Sequence, residues 1–567
     1  MSDHVLSAPP VSAAARLRPA WFRFVPGGWT LSVLLIALFV ALPLLIVGSR
    51  VFVSSNGVWS HLASTVLGTY IANTLMLAGG VALGVSVIGV GTAWLVTMCR
   101  FPGQRWLEWA LLLPMAVPAY VMAYTYTDLL QFVGPVQTGL REMFGWRRAD
   151  YWFPEIRSLG GAITVLSFVL YPYVYLLARA AFLEQSVCVL EVARTLGAGP
   201  WRSFMRVALP LARPAIAAGL ALAMMEVLAD FGTVQYFAVD TFTTGIYRTW
   251  FAMGEPVAAA QLASVLMLFV MVLIVMERYS RGRARYFHST GRYRSLPSYH
   301  LRGLPALAAL VACLAPLLAG FVIPIAILGK LAMEGGDQLF GANFRELAGN
   351  SFTLAGLTAV LAVALACLVA YGLRLRPTAT LKTAARVAAM GYAIPGSVIA
   401  VGILIPAARI DNAVDGFMRG HFGVSTGLLL SGTIAAIVYA YLVRFLAVSF
   451  NTVEASLSKI RPTMDQAARI LGQTPGRTLL KVHTPIMRGS LLTAGLLVFV
   501  DVMKELPATM IVRPFNFDTL AVRVYTLASD ERLAEAATPA LAIVAVGILP
   551  VILLSRAIAK SRPGSDG

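Results

Sequence analysis

Apolar runs of some 20 residues recur along the whole chain, parted by short polar stretches. A helix needs about 20 mostly apolar residues to cross a bilayer. By that measure spans are predicted at about 30–50, 70–97, 107–132, 159–183, 209–231, 257–277, 304–329, 351–373, 385–407, 426–450, 484–504 and 538–558. Composition agrees: 58% of the 567 residues are hydrophobic and 13% are charged. Mean hydropathy is +0.76. A soluble domain is excluded, and the fold class is all-α integral membrane, with about twelve transmembrane helices. Residues 1–29 are polar and rich in Ala and Pro. The apolar run that follows is too long for a signal-peptide core, so they read as an uncleaved cytosolic tail.

The polar positions set the orientation. Net charge is +18. The basic residues gather after even-numbered spans: Arg100 and Arg105, then Arg374, Arg376, Lys382 and Arg386, and at the end Arg556, Lys560 and Arg562. Arg16, Arg18 and Arg23 precede the first span. In a twelve-span count these all fall on one side, which the positive-inside rule makes cytosolic. Both termini are then cytosolic. Residues 278–302 hold seven Arg and no Asp or Glu, and read as a basic cytosolic linker. It joins a first membrane domain, 30–277, to a second, 303–560. Nucleic acid is not implied by the charge, because no recognition module is visible. Four scattered cysteines, Cys99, Cys188, Cys313 and Cys367, lack zinc or CxxC spacing and read as reduced packing residues.

One polar segment occurs twice. Residues 193–213 read ARTLGAGPWRSFMRVALPLAR, and residues 468–488 read ARILGQTPGRTLLKVHTPIMR. At an offset of 275, Ala193, Arg194, Leu196, Gly197, Pro200, Arg202, Val207, Pro210 and Arg213 recur as Ala468, Arg469, Leu471, Gly472, Pro475, Arg477, Val482, Pro485 and Arg488. The same offset carries Thr244 and Arg248 onto Thr519 and Arg523. A period this long marks a duplicated domain rather than a solenoid. Six spans per half with one orientation give two parallel six-helix repeats about an axis along the membrane normal. Asn73-Thr74 matches Asn350-Ser351, and Ala116-Val117-Pro118 matches Ala393-Ile394-Pro395, both at offset 277. The prolines predict kinks in spans three and nine, with packing and hinge roles both open. Gly79, Gly80, Gly84, Gly89 and Gly91 predict close helix approach in span two. The doubled polar segment predicts a short helix, a Gly-Pro turn and a second short helix on the cytosolic surface.

The spans also carry charge. Glu226 and Asp230 in span five align at offset 275 with Asp501 and Glu505 in span eleven. Each pair is spaced i, i+4 and so shares a helix face. Carboxylates in a span are costly and mark pathways or interior pairs. Two equivalent helices would turn four carboxylates toward the axis, where oxygen ligands suit a hard cation. A structural ion pair, for instance with Lys504, and solvation at the outer helix ends are the alternatives. Tyr120, Tyr124 and Tyr126 in span three could supply phenolic oxygens, but without matching tyrosines in the second half they read first as packing or interface-belt residues.

Glu191-Val-Ala193, Gly197 and Leu209-Pro210 resemble the EAA coupling motif of ATP-binding-cassette importer permeases. Gln466-Ala-Ala468, Gly472 and Thr484-Pro485 form a second copy, with Gln466 in place of the glutamate and Asp465 beside it. The strings Ala229-Asp-Phe-Gly-Thr-Val-Gln-Tyr-Phe and Lys504-Glu-Leu-Pro-Ala-Thr-Met are similar to the fused permeases of ferric-iron importers; thiamine and phosphonate permeases are near relatives. The resemblance implies two MetI-like domains in a bacterial inner membrane. It implies two copies of a separate ATPase subunit, which bind the ATP, docked at Glu191, Ala193, Arg194 and Gly197 and at Gln466, Ala468, Arg469 and Gly472. It implies a periplasmic substrate-binding protein on the other face. The chain has no G-x-x-x-x-G-K-[ST] phosphate loop, and no cofactor is expected in it. An ion-coupled secondary transporter also has duplicated halves and buried acids. It does not need the doubled cytosolic Gly-Pro motif. A membrane enzyme is disfavoured by the dispersal of the six His.

Overall fold

The computed structural model describes residues 27–55, 57–183, 185, 195, 199–281, 299–334 and 342–560. Among them, eleven helices are long and apolar enough to cross a membrane, and a bent pair supplies a twelfth span. The first half runs Gly28–Ser49 (α1), Leu67–Met98 (α2), Gln104–Ala110 (α3), Ala119–Leu130 (α4), Leu159–Leu183 (α5), Leu209–Ala229 (α6), Gly232–Tyr236 (α7), Phe242–Phe251 (α8) and Pro256–Arg281 (α9). The second half opens with Leu304–Leu317 (α10), which passes through a π-turn at Leu318–Val322 into Ile323–Glu334 (α11). It continues with Ala342–Leu375 (α12), Ala379–Ala388 (α13), Gly396–Phe422 (α14), Ile434–Ser458 (α15), Thr463–Ile470 (α16), Thr484–Met503 (α17), Pro507–Val512 (α18), Leu520–Ser529 (α19) and Leu533–Lys560 (α20). Among the described residues, the main membrane helices of one half recur in the same order in the other; α16 falls opposite residues outside that set, and Val58–Thr65 and Pro135–Phe144 have no separate counterpart.

The prolines of spans three and nine do more than kink them. Val117 and Pro118 are both extended, with ψ of 120° and 140°, and Ile394 and Pro395 follow suit at 130° and 138°. The ring of a proline drives the preceding residue out of the α region. The helix therefore stops, and the proline opens the next one. In the first half the pieces on either side of the break meet at 92°. In the second half the span predicted at 385–407 becomes α13, a break, and α14, which runs on to Phe422.

Close helix approach is real on one face of α2. A Cβ on Gly80, Gly84 or Gly89 would lie within 3 Å of Ile163, Ser167 or Tyr171 of α5. Gly79 and Gly91 face open space, with nothing within 4 Å.

The halves are interlocked. α1 packs against α12, α13 and α14 of the second half, while α10 packs against α2 and α3, α11 against α4 and the π-turn between them against α5 of the first. Tyr439 donates its hydroxyl to the Phe39 carbonyl at 2.7 Å, and Tyr126 donates to the Ala319 carbonyl at 2.6 Å. Each bond satisfies a phenol inside an apolar contact, where an unpaired one would be costly. On the basic side, Cys99–Arg100 (β1) pairs in parallel with Tyr299–His300 (β2).

The repeat register also needs one correction. Thr241 caps α8 and Thr519 caps α19. Asn73 donates to the carbonyl of Asp240, and Asn350 to that of Asp518. The Asp240–Asp518 and Thr241–Thr519 equivalences have an offset of 278, not 275. The loop before α19 is three residues longer than its counterpart, so Thr519 answers to Thr241 rather than Thr244.

Candidate functional site

All four span carboxylates line one cavity of about 110 Å³, with Lys504, Arg444, Tyr120, Tyr173 and Tyr392. Its lining comes in repeat-related pairs: Glu226 with Asp501, Asp230 with Glu505, Val169 with Arg444 and Met115 with Tyr392. The pseudo-twofold axis therefore passes through it. Met115, Tyr173, Tyr392, Asp501 and Lys504 also line a second, larger space of about 780 Å³. That vestibule runs on to Glu277 and Arg386, at the basic ends of α9 and α13. The charged cavity thus sits deep to a vestibule that leads toward the basic face.

Each carboxylate has a structural task as well. Asp230 ends α6 and caps α7. Its oxygens accept from the Thr233 and Val234 amides, both at 3.1 Å, and from the Thr233 hydroxyl at 2.9 Å. Glu505 does the same for α18, accepting from the Ala508 and Thr509 amides at 2.9 and 3.0 Å and the Thr509 hydroxyl at 2.6 Å. A carboxylate over the first amides of a helix satisfies donors that have no helical partner. Glu226 accepts from the Tyr392 hydroxyl at 2.8 Å. Asp501 pairs with Lys504 at 3.0 Å. Solvation at the helix ends does not describe Glu505, which is 4% exposed. Among the described residues no three acidic, His or Cys side chains converge as a metal cluster. The tyrosines are not a belt: Tyr120 and Tyr124 are buried, and Tyr120 faces the cavity.

Arg444 escapes a reading based on repetition. It lies on α15, 6% exposed, with Nη1 3.2 Å from Glu505 and Nη2 3.9 Å from Glu226. Its repeat counterpart is Val169. Gly396 makes the room: a Cβ there would come within 2.6 Å of Nη1.

The second copy of the doubled segment folds as expected. α16 ends at Ile470, Gly472 takes φ +73°, and a helical turn starts at Pro475. Gln466, Arg469 and Gly472 are exposed, while Ala468 packs inward. Ile470, Leu471 and Leu480 are exposed beside them. In the first copy Glu191, Ala193, Arg194 and Gly197 lie outside the described residues, but Met205, the counterpart of Leu480, is likewise exposed. Behind the second copy stands an ion-pair triad that the sequence did not announce. Arg374 reaches Asp465 at 2.7 Å and the carbonyls of Leu457 and Ile460 at 2.6 and 2.8 Å. His483 meets Asp465 at 2.8 Å. Burial alone would raise the Asp465 carboxyl, but the bonds from Arg374 and His483 outweigh it and hold it below the ordinary value.

A helical membrane protein with repeated halves, an axial charged cavity and an exposed loop whose sequence occurs twice has the build of a transport permease. Residues 86–286 match the family of binding-protein-dependent transport system inner membrane components, and the chain belongs to that family. It is 31% identical over 206 residues to the molybdenum transport system permease protein ModB of Escherichia coli, covering 35% of this chain and 87% of that one. It is 26% identical over 496 residues to the Fe(3+)-transport system permease protein FbpB 2 of Haemophilus influenzae, covering 86% of this chain and 89% of that one. The ferric transport system permease protein FbpB of Actinobacillus pleuropneumoniae is 23% identical, over 89% of this chain and 74% of its own.

Proposed function

We propose that this chain is the membrane-spanning subunit of an ATP-driven importer of ferric iron, built as two fused permease domains, 30–277 and 303–560. The observation that carries the substrate class is the axial cavity, where four carboxylates face two basic side chains and leave an excess of two negative charges. A hard trivalent cation favours such oxygen-rich, acidic surroundings. The relatives that align along most of the chain, the FbpB proteins, support the same choice.

The basic face, with both termini, is cytosolic in this proposal, following the distribution of Arg and Lys. Two copies of a separate ATPase subunit dock there and hold the ATP. One sits on Gln466, Arg469 and Gly472 with the apolar rim of Ile470, Leu471 and Leu480, and the other on Glu191, Ala193, Arg194 and Gly197. A periplasmic binding protein delivers iron to the opposite face. The vestibule toward the basic face and the charged layer at its far end correspond to an inward-open conformation. Iron passes the layer when the halves rock about the axis. Each carboxylate also has a capping or pairing task, which suits transit better than storage.

The test is uptake of radioactive ferric iron by cells carrying the whole transporter, with the amount of assembled complex measured alongside. The variant Glu226→Gln, Asp501→Asn, which spares both helix caps, should lower uptake at limiting iron at least tenfold while assembly stays near wild type. Unchanged ferric uptake, or uptake of an oxyanion in its place by the wild type, overturns the proposal.

A further inference from the structure

Glu226 is held from the opposite half. Its two oxygens face Tyr392 and Arg444, and both of these belong to the second half. Arg444 in turn bonds Glu505, so one guanidinium bridges acids of both halves across the axis. The repeat does not require it, since Val169 lines the cavity at the equivalent place. Lys504 is similar, with Ala229 as its counterpart. Both cations of the cavity therefore sit on one side of a layer whose acids are symmetric. Arg444 is also poorly satisfied: its Nε is buried without a partner, and its contact with Glu226 is long. Tyr120, which lines the same cavity, holds a second buried, unpartnered polar atom.

We propose that Arg444 is a specificity-determining residue for the conduit, a tethered cation that occupies Glu226 and Glu505 between transport events and that an incoming cation must displace. This rests on the ferric reading of the cavity. The physical basis is competition for the same carboxylate oxygens. Attraction to a carboxylate scales with the charge of its partner, so a trivalent ion gains most on displacing a guanidinium, a divalent ion less and a monovalent ion least. The displaced guanidinium keeps its own charge in the cavity and repels the newcomer, which raises the threshold further. Arg444 then sets a lower limit on the charge of what passes. The orphaned Tyr120 hydroxyl is the oxygen that the entering ion gains in exchange. Glu226 is freed from the second half in the same event, so cation entry and loosening of the cross-brace are one step.

The experiment uses the assembled transporter in detergent and terbium(III) as a redox-inert trivalent probe, its emission sensitised by the cavity tyrosines. Arg444→Gln should bind terbium at least tenfold more tightly than wild type, and calcium, which the wild type holds out, should bind as well. Arg444→Lys keeps a charge but not the two-armed bridge, and should fall between. It also serves where the glutamine variant does not assemble. Adding Glu226→Gln to Arg444→Gln should remove the gain. Terbium binding no tighter in either Arg444 variant overturns the proposal, as does a gain that survives loss of Glu226. A merely structural arginine would, on removal, weaken the binding of both ions or leave it unmoved. Tighter binding with no ferric uptake by the wild type would overturn the ferric reading, and the assignment of Arg444 with it. Ferric uptake with no tightening would overturn the role of Arg444 alone.

Discussion

Replacing Arg374 with methionine tests how the second copy of the repeated loop is held. The guanidinium makes two bonds to Asp465 and one to each of the Leu457 and Ile460 carbonyls. It thereby staples the end of α15 to α16. Methionine fills similar space and makes none of these bonds. Breaking a buried pair by removing one partner costs about 3–5 kcal/mol. The side chains are 17% and 12% exposed, so the low end, about 3 kcal/mol, is appropriate. At 1.4 kcal/mol per tenfold, that raises the open population of the loop roughly a hundredfold. Amide hydrogen exchange over 459–475, measured on the assembled membrane protein, should speed up by about that factor, while α14 and α15 stay protected. Trypsin should cut sooner at Lys459 and Arg469, and less ATPase should co-purify. The pH sign is fixed by Asp465. Its carboxyl lies below the ordinary value of about 3.9. The stability it adds is full above that value and is lost as pH falls through its folded value. Wild-type exchange, after correction for the intrinsic rate, should therefore stay flat from pH 8 to 5 on this account and rise only in stronger acid. Unchanged exchange in Arg374→Met would refute the staple.

Gly472→Pro should abolish recruitment of the ATPase to the second half with insertion intact, since φ of +73° is closed to proline; normal coupling of ATP hydrolysis to uptake would exclude the assignment. Asn73→Ala and Asn350→Ala should each cost about 1 kcal/mol by freeing the Asp240 or Asp518 carbonyl. Their melting temperatures should fall by similar amounts, and a large difference would contradict the 278 register.

What could be read in the chain was whatever occurs twice. Twelve apolar runs, the doubled Gly-Pro loop and the paired carboxylates all emerge from repetition and hydropathy; the runs, the carboxylates and the second copy of the loop reappear in the fold. The residues that escaped occur once. Arg444 answers to Val169, Arg374 to Thr97 and His483 to Ala208. A filter that looks for matches discards them, although asymmetry is where the halves specialise. Arg374 also looked like an ordinary loop cation, because a sequence cannot tell a solvated arginine from one turned onto Asp465. The shift to 278 was legible: Asp240-Thr241-Phe242 and Asp518-Thr519-Leu520 share Asp-Thr before an apolar residue. Chance agreement of Thr244 with Thr519 hid it. Whether Pro118 and Pro395 bend a helix or end it depends on what receives the freed ends, and only the packed structure supplies that.

The exchange of first helices between halves has a consequence for synthesis. α1 leaves the ribosome before the second half, yet the second-half surfaces it packs against begin at Ala342 in α12 and run on to Tyr439 in α15. A Cβ on Gly402 would come 2.4 Å from the Pro43 carbonyl, so the contact is backbone to backbone and has no soft substitute. Roughly 300 residues separate α1 from α12; at about 5–20 residues per second that is a wait of about 15–60 s. Through that interval α1 has only lipid and its own half for company. Closing of the α1 clasp is therefore a late event in biogenesis, one that can proceed only after the second half is in the membrane. Interruption in the basic linker would leave a first half whose leading helix has no seat, an orphan that quality-control proteases can recognise by its exposed helix face.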